Sequence, residues 1–405
     1  MSDHIITRLG HLGDGLTADG TLVPLSLPGE VVSGDITDGR IADPRIVTPS
    51  PDRVRAPCAH FRSCGGCSLQ HGSDAFLAGW KTQVIETALS AQGLAAPLRP
   101  IHVSPPHARR RATLAARRTK KGALVGFHAR RSDTIVALSE CAVLHPDLLA
   151  LSPVLADITR LGGSRSATLS FALTHSPSGI DCAVTGGKPL DEALRLALPK
   201  FLPHFARLTW GDETVFTTSP PVQQFGGTAV TPPPGAFLQA TPDGEAALVA
   251  AVTEAVGDAR QIADLFAGCG TFTLPLARRS AIHAVEGAPE MTAALDHAIR
   301  HGEGLKPVTT ETRDLFRRPL LPDELARFDA IVIDPPRAGA EAAVAQIAAT
   351  QVPRIAYVSC NPVSFARDAK SLVAAGYTLN WVQPVDQFRW SAHIELAARF
   401  TRPGA

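Results

Sequence analysis

The stretch that most constrains the fold is Ile262–Ala277, IADLFAGCGTFTLPLA, where an apolar run leads through a glycine turn into a helical pattern. Residues 262–266 predict a buried parallel strand, and Thr271 predicts the start of a helix. Gly268 and Gly270 allow a sharp turn and let a ligand approach the N–H groups at the helix start. Dinucleotide enzymes, P-loop proteins and methyltransferases all use such a unit, so this stretch alone leaves three classes open.

The strand that follows narrows this choice. Residues 281–287, AIHAVEG, predict a second strand that ends at Glu286, a position suited to accepting two hydrogen bonds from a ribose diol. The GxGxxG pattern fails because Thr273 replaces its third glycine, and the sequence contains no GK[ST]. The arrangement resembles the S-adenosylmethionine site of a class I methyltransferase. Another kind of doubly wound domain is the alternative.

Further strand ends continue the α/β rhythm. Asp314 lies at the end of one predicted strand, in TETRDL; Asp334 opens the DPPR turn after a second, and Cys360 ends a third, RIAYVSC. Ligands of open α/β sheets bind beyond the carboxyl ends of the strands. We therefore expect a doubly wound C-terminal domain in which Gly268, Glu286 and these three residues converge on one crevice.

Length and charge limit the remaining possibilities. A chain of 405 residues is expected to contain two or three domains. Its net charge of +1 means that any binding of nucleic acid must come from local clustering of basic residues. The N-terminus lacks the apolar core of a signal peptide, and no apolar run approaches the roughly 18 residues of a membrane span. We expect a cytoplasmic protein, and a monomer.

Four of the seven cysteines form a pattern typical of a metal site. Cys58, Cys64 and Cys67 lie within ten residues, and Cys141 follows 74 residues later. Disulfides are rare in cytosolic proteins, which leaves zinc and an iron–sulfur cluster as alternatives to unliganded buried thiols. Structural zinc usually takes paired C-x2-C units. Three close cysteines with one remote partner favour a [4Fe–4S] cluster.

A run of nine basic residues without an acid extends from Arg109 to Arg131. Its alternation predicts a hairpin that turns at Lys121 and Gly122, with basic side chains on both arms. A solvated face is the usual interpretation of a charge run. In a nearly neutral chain we favour a surface that binds phosphates of RNA.

The N-terminal residues 5–48 alternate apolar and polar positions between glycine turns, which predicts a small β-barrel. This segment resembles the TRAM domain, and a plain β-appendage is the alternative. We expect a TRAM-like barrel over 1–50, a β-rich iron–sulfur and RNA-binding domain over 51–235, and the methyltransferase domain over 236–405. A helix over 243–256 leads into the first strand of that last domain.

Six motifs occur in a fixed order along nearly the whole chain: CGGCSLQH, FLQ, DLFAGCGTFTLPLA, DPPR, YVSCNP and DQFRWSAHIE. Together they resemble the tRNA/rRNA uracil-5-methyltransferase family, which methylates carbon 5 of uridine. The resemblance implies that Cys360 is the nucleophile and Glu395 the general base. It also implies cofactor contacts from Gln239, Phe266, Glu286, Asp314 and Asp334, and cluster ligation by Cys58, Cys64, Cys67 and Cys141. We add Gly268, Gly270 and Thr271 as cofactor contacts because they form the glycine loop.

Two positions depart from the family pattern. Thr271 stands where the family usually has asparagine, and Arg389 stands where it usually has proline, in the stretch before the base. The first departure affects a contact to the cofactor, and the second affects how the loop that carries the base is held.

The family chemistry explains these residue types. Carbon 5 of uracil is a poor nucleophile until a thiolate adds to carbon 6, and a carboxylate must then remove the carbon 5 proton. The thiol of Cys360 is expected to have a lowered pKa, supplied by Arg337 or by helix N-termini. The target base must also be flipped out of its stack.

The expected function is therefore S-adenosylmethionine-dependent formation of 5-methyluridine, with 23S rRNA favoured over tRNA because of the cluster. Two other classes remain open. A non-catalytic iron–sulfur RNA-binding protein would not need Cys360 and Glu395. An amino-methyltransferase, which the DPPR motif also resembles, would not need the cysteine.

Overall fold

The computed structural model describes residues 2–402. Residue 1 and residues 403–405, the outer ends of the predicted terminal domains, lie outside the described residues. Within residues 2–402, no helix is both long and apolar enough to cross a membrane.

The N-terminal region consists of two small antiparallel sheets of three strands each. Ile6, Val23, Val32 and Ile41 form its core. The predicted β-rich start of the chain is confirmed. Its strands are β1 (Ser2–Ile5), β2 (Arg8–Leu9), β3 (Gly15–Leu16), β4 (Leu22–Val23), β5 (Val31–Gly34) and β6 (Arg45–Thr48).

The next segment has one helix and one short strand. Helix α1 spans Asp74–Ser90, and Ser73 caps it by accepting a hydrogen bond from the Phe76 N–H. Strand β7 is His102–Val103. Both elements join the C-terminal sheet. β7 pairs in parallel with the strand at residues 378–386, and Ile85 and Leu89 of α1 enter the core of that sheet.

A seven-stranded sheet occupies the middle of the chain, in the order β10-β9-β8-β11-β12-β13-β14. The basic hairpin is confirmed, because β8 and β9 pair antiparallel with Arg118 opposite Ala123. Helices cover one face of the sheet. The strands are β8 (Arg111–Arg118), β9 (Ala123–His128), β10 (Ile135–Ala137), β11 (Leu169–Ser176), β12 (Gly179–Thr185), β13 (Arg207–Trp210) and β14 (Glu213–Thr217). The helices are α2 (Pro146–Ala150), α3 (Ser152–Gly162), α4 (Glu192–Ala197) and a 3-10 helix (Leu198–His204).

A short antiparallel hairpin leads to the C-terminal region. It consists of β15 (Gln223–Phe225) and β16 (Thr228–Val230). Helix α5 then spans Pro242–Val256, as the sequence predicts, with Thr241 as its N-cap. It ends at Gly257, whose φ of 60° is in the left-handed region.

The C-terminal region is a mixed eight-stranded sheet in the order β19-β18-β17-β20-β21-β23-β22-β7. Its first five strands are parallel, and β23 runs antiparallel to both of its neighbours. The strands are β17 (Gln261–Leu265), β18 (Ala281–Glu286), β19 (Val308–Thr312), β20 (Ala330–Ile333), β21 (Arg354–Ser359), β22 (Thr378–Asp386) and β23 (Glu395–Thr401). The helices are α6 (Thr273–Leu276), α7 (Pro289–His301), α8 (Pro322–Leu325), α9 (Glu341–Ala348) and α10 (Pro362–Ala374).

Both faces of this sheet are buried, as in other α/β domains. Ile331 and Ile333 of β20 enter the core on one face, and Ala330 and Val332 enter the core on the other. The predicted doubly wound architecture is confirmed. The helix that the sequence predicts to start at Thr271 is α6, which is a single turn over Thr273–Leu276.

Candidate active site

The edge at the carboxyl ends of the parallel strands gathers the predicted side chains. Gly268 follows β17, Glu286 ends β18, Asp314 follows β19, Asp334 follows β20 and Cys360 follows β21. Since these five strands are neighbours and parallel, the residues lie along one edge of the sheet.

Glu395 reaches the same edge from the opposite direction. It is the first residue of β23, in which Leu396 pairs with Ser359, the residue before Cys360. The side chain is almost fully buried, with 2% of the residue exposed. Antiparallel pairing thus places the predicted base beside the predicted nucleophile, although 34 residues separate them in the sequence.

The glycine loop is held tightly against Glu286. One carboxylate oxygen of Glu286 accepts a hydrogen bond from the Gly268 N–H and the other from the Ala288 N–H, both at 2.9 Å. Gly270 has φ of 94°, and a Cβ there would lie 2.6 Å from the Leu295 side chain. This fixed carboxylate retains lone pairs for the hydroxyl groups of a ribose.

Two aromatic rings flank the end of β17. Phe266 and Phe316 have ring centroids 5.4 Å apart, and Phe316 is 49% exposed. Asp314 lies beside them and accepts hydrogen bonds from the Phe316 and Arg317 N–H groups. Sequence reasoning missed Phe316. Its only signal was an aromatic residue two positions after the strand-end aspartate.

A chain of amide side chains connects the FLQ motif to the loop before the base. The Gln387 side-chain N–H donates to Oε1 of Gln239 at 2.5 Å, which turns the Gln239 amide N–H toward Oδ2 of Asp334, 3.5 Å away. Gln387 was also missed as a site residue, although it lies within the DQFRW motif.

The pKa of the Cys360 thiol is raised to about 12, mainly by burial and further by the carboxylates of Glu395 and Asp334. Arg337 acts in the opposite direction but is outweighed. The prediction of a lowered pKa is therefore wrong for the free protein. The site is enclosed and acidic, so it favours the protonated thiol.

Glu395 and Asp334, which act on this thiol, and Asp264, which acts on Asp334, also have raised pKa values. Burial and the neighbouring Asp334 raise the pKa of Glu395 to about 8. The carboxyl group of Asp334 is enclosed, although the residue is half-buried, and burial and Asp264 raise its pKa to about 7. Asp264 is a buried residue in β17 to which the sequence analysis assigns no role. Burial raises its pKa to about 7, and it accepts a hydrogen bond from Thr273. Perturbed groups clustered in this way are typical of catalytic sites.

The basic run from 109 to 131 does not form one surface. Arg110 is buried and donates to Glu245 of α5 at 2.5 Å, and it also donates to the backbone carbonyl of Gln239. Arg111 lies over the ring of Phe237, 4.1 Å from its centroid, and burial lowers its pKa to about 10. The expectation of basic side chains exposed along both arms is therefore wrong, because the start of the run packs against the C-terminal region.

The exposed residues of the run are Arg118, Lys120 and Lys121 at the tip of the hairpin, and Arg131, which pairs with Asp14 at 2.8 Å. Thr271, the first departure from the family pattern, is half-buried and lines a groove with Gln223 and Glu245.

The four patterned cysteines come together. Cys58, Cys64, Cys67 and Cys141 line one cavity of about 110 Å³. Among the described residues, no three of these thiols lie within 4.8 Å of one another. Sulfurs that bind one zinc ion at 2.3 Å would be separated by about 3.8 Å. The arrangement therefore fits a group larger than a single ion.

Burial affects these thiols too, raising the pKa of Cys67 to about 12. His60 and His71 do not line the cavity: His60 contacts Ser139 at 2.9 Å, and His71 is buried beside Phe61.

Comparison with known proteins gives one consistent result. The family model described as tRNA (Uracil-5-)-methyltransferase matches residues 234–402. A protein of Caulobacter vibrioides described as an uncharacterized RNA methyltransferase is 44% identical, over 99% of this chain and all of the relative. The 23S rRNA (uracil(1939)-C(5))-methyltransferase RlmD of Shewanella amazonensis is 32% identical, over 98% of this chain and 94% of the relative.

A solved structure shares the fold over nearly the full length. The Pyrococcus abyssi tRNA (uracil-54, C5)-methyltransferase in complex with S-adenosyl-L-homocysteine superposes with a TM-score of 0.78. It is 22% identical and covers 98% of this chain and 99% of the other. At this identity the likeness supports the fold alone.

Proposed function

The chain belongs to the tRNA (uracil-5-)-methyltransferase family and is an S-adenosylmethionine-dependent RNA (uracil-C5)-methyltransferase, and we propose that its substrate is a uridine of 23S rRNA. The observation that carries the catalytic part of the proposal is the meeting of Cys360 and Glu395 at one sheet edge, where the Glu395 carboxylate is close enough to help raise the pKa of the Cys360 thiol. The full-length similarity to the Shewanella enzyme favours rRNA. A tRNA uridine is the alternative.

We propose that the first step is addition of the Cys360 sulfur to carbon 6 of the uracil, with the electron pair of the C5–C6 double bond moving onto the carbonyl oxygen at carbon 4. The Cys360 thiol is protonated in the free protein, where its pKa is about 12, so its proton must pass to solvent water at the half-buried sulfur before the attack. Carbon 5 then becomes nucleophilic. Bound S-adenosylmethionine would supply the methyl group that carbon 5 accepts.

Glu395 would complete the reaction. Its carboxylate removes the proton from carbon 5, the electron pair restores the C5–C6 double bond, and the bond from carbon 6 to sulfur breaks. Cys360 leaves as the thiolate. Because the pKa of Glu395 is about 8, this step requires the fraction of Glu395 that is ionised.

The residues at the edge fit the cofactor. Glu286 would accept hydrogen bonds from the ribose hydroxyls with a carboxylate already oriented by the glycine loop. Phe266 and Phe316 would contact the adenine, and Asp314 would accept from its amino group. Gln239 and Asp334 would face the reactive end. Gly268, Gly270 and Thr271 would let the cofactor approach the backbone.

The substrate proposal is tested by mapping 5-methyluridine in rRNA and tRNA from a strain that lacks the protein. We expect loss of one 5-methyluridine in 23S rRNA, restored by the wild-type protein and not by Cys360→Ala. Loss confined to tRNA would select the alternative substrate. A normal pattern in both RNAs, or restoration by Cys360→Ala, would contradict the proposal.

We also propose that Cys58, Cys64, Cys67 and Cys141 hold a [4Fe–4S] cluster. What supports a cluster over zinc is the shared cavity, together with the absence, among the described residues, of any three of these thiols within 4.8 Å of one another. Protein purified without oxygen should be brown and contain about four irons. Cys67→Ser should lose iron, whereas Cys182→Ala, which alters a buried thiol outside the cavity, should keep it. Colourless protein with stoichiometric zinc would overturn this assignment.

A further inference from the structure

The loop that leads into Glu395 is held by a distant part of the chain. We call residues 386–394, which connect β22 to β23, the base loop, and residues 68–81, which follow Cys67 and include the start of α1, the clamp segment. The contacts between them come from backbone, apolar and charged groups.

The backbone of Trp390 provides the first contact. Its carbonyl oxygen accepts hydrogen bonds from the N–H groups of both Ser68 and Leu69, at 2.9 Å each. The indole is buried in an apolar cluster with Leu69, Leu77 and Trp80. Trp390 has φ of 60°, a strained value for a bulky residue that persists only where the surroundings enforce it. The clamp segment supplies that enforcement.

A buried ion pair provides the second contact. Nζ of Lys81 lies 2.6 Å from Oδ1 of Asp386 and also donates to the backbone carbonyl of Phe388 at 3.3 Å. Both charged side chains are almost fully buried. Helix α1 is therefore joined to the first residues of the base loop by groups that cannot separate without leaving a charge unpaired.

Arg389 provides the third contact, and it stands where the family pattern usually has proline. Its guanidinium donates to Oδ2 of Asp74 at 2.7 Å and to the backbone carbonyl of Ser104 at 3.1 Å. It also lies over the ring of Trp390, 4.9 Å from the centroid. A proline would make none of these bonds, so in this chain the guanidinium of Arg389 adds a link between the base loop and the start of α1.

The opposite side of the base loop faces the cofactor region. Oε1 of Gln387 accepts a hydrogen bond from the Ala240 N–H at 2.6 Å, and its amide N–H donates to Gln239. The base loop is thus fixed between the clamp segment and residues next to the methyl donor. A shift of the loop on the clamp side would move Glu395 relative to Cys360.

We propose that the clamp segment sets the position of Glu395, and that Arg389 is a positioning residue for removal of the carbon 5 proton. This proposal rests on the proposed role of Glu395. It couples the loop after the third cysteine of the cluster motif to the final step of catalysis. Loosening the clamp should slow proton removal far more than methyl transfer, since Cys360 and the cofactor residues lie on other strands.

The test uses Arg389→Met, which removes the guanidinium and keeps an unbranched stem over Trp390. In single-turnover reactions with labelled cofactor, methyl transfer should change by less than about twofold. Release of the methylated RNA from its covalent adduct should slow by about tenfold to a hundredfold, because a small misplacement of a catalytic group has effects of this size. Asp74→Asn should act in the same direction, and Arg389→Lys should restore part of the release rate.

Arg99→Met is the matched control. Arg99 also pairs with a carboxylate, Glu254, and lies over an aromatic ring, Trp381, away from the base loop. It should release product at the wild-type rate. Wild-type release by Arg389→Met, or equal losses in methyl transfer and in release, would overturn the positioning role.

Hydrogen exchange separates this proposal from the proposed function. If the wild-type protein neither forms an adduct nor makes 5-methyluridine, the proposed function fails, while the clamp is still measurable. Amides of residues 387–394 should exchange faster in Arg389→Met than in the wild type and in Arg99→Met. Unchanged exchange would overturn the clamp itself.

Discussion

Replacing Arg110 by methionine should destabilise the protein, because this arginine is a buried partner and not a surface charge. It donates to Glu245 at 2.5 Å, to Gln223 at 3.3 Å and to the backbone carbonyl of Gln239 at 3.1 Å. Only 7% of the Arg110 side chain and 11% of the Glu245 side chain are exposed. The substitution leaves the Glu245 carboxylate buried without a counter-charge.

Breaking a buried pair from one side costs about 3–5 kcal/mol, which corresponds to a fall of about 10 °C in the midpoint of thermal unfolding. The loss should depend on pH. Burial raises the pKa of Glu245, and Arg110 opposes that rise. Without Arg110 the folded-state pKa lies further above the unfolded value of about 4.3. Folding then favours the protonated carboxyl group, so stability falls as pH rises from about 4 toward that higher pKa.

Thermal unfolding at pH 5 and pH 8 provides the measurement. Arg110→Met should lose more stability at pH 8 than at pH 5, and the double variant with Glu245→Leu should recover most of the loss. Lys120→Met, at the exposed hairpin tip, should unfold like the wild type. If Arg110→Met were as stable as the wild type at both values and bound RNA more weakly, Arg110 would contact RNA and the reasoning from burial would be refuted.

Two further predictions concern RNA binding and pH. The double change Lys120→Glu and Lys121→Glu should weaken RNA binding and lower the slope of log K against log salt by about two, with S-adenosylmethionine affinity unchanged. The control Lys200→Glu with Lys306→Glu makes the same charge change elsewhere. If both double variants bind RNA with equal affinity, the hairpin tip is only a solvated surface. In single-turnover reactions of the wild type, the rate at which methylated RNA is released from its covalent adduct should rise with pH through about 8, because Glu395 must be ionised to accept a proton and its pKa is about 8. A profile that is flat from pH 6 to 9 would contradict that assignment.

The strand pattern was sufficient to predict where the strand-end residues lie. A parallel α/β rhythm places Glu286, Asp334 and Cys360 at one edge whatever the details of packing. Glu395 could be placed beside them only through the family resemblance, since its position depends on an antiparallel strand that returns next to β21.

Burial by distant partners was beyond sequence reasoning. Arg110 lies in a basic run, and its partner Glu245 is 135 positions away, so the charge pattern gave no sign that this residue is buried. The same limit applies to Cys360. Arg337 lies nearby in the fold, but the burial and the two carboxylates that outweigh it depend on tertiary packing.

The packing of α1 was equally hidden. Helix α1 and β7 precede the central sheet in the chain yet complete the C-terminal one. The contact of Arg389 with Asp74 spans 315 positions, so the departure from the family pattern at Arg389 could be seen in the sequence but not explained from it.

The central claim is that Cys360 acts before methyl transfer and Glu395 acts after it, and a denaturing gel with cofactor labelled on its methyl group tests this order directly. Glu395→Gln should give a protein–RNA band that carries the label, because the carbon 5 proton cannot be removed and the thiolate cannot leave. Cys360→Ala should give neither band nor product. An unlabelled band from Glu395→Gln would mean that Glu395 is needed for methyl transfer itself, and normal turnover by both variants without any band would contradict the mechanism.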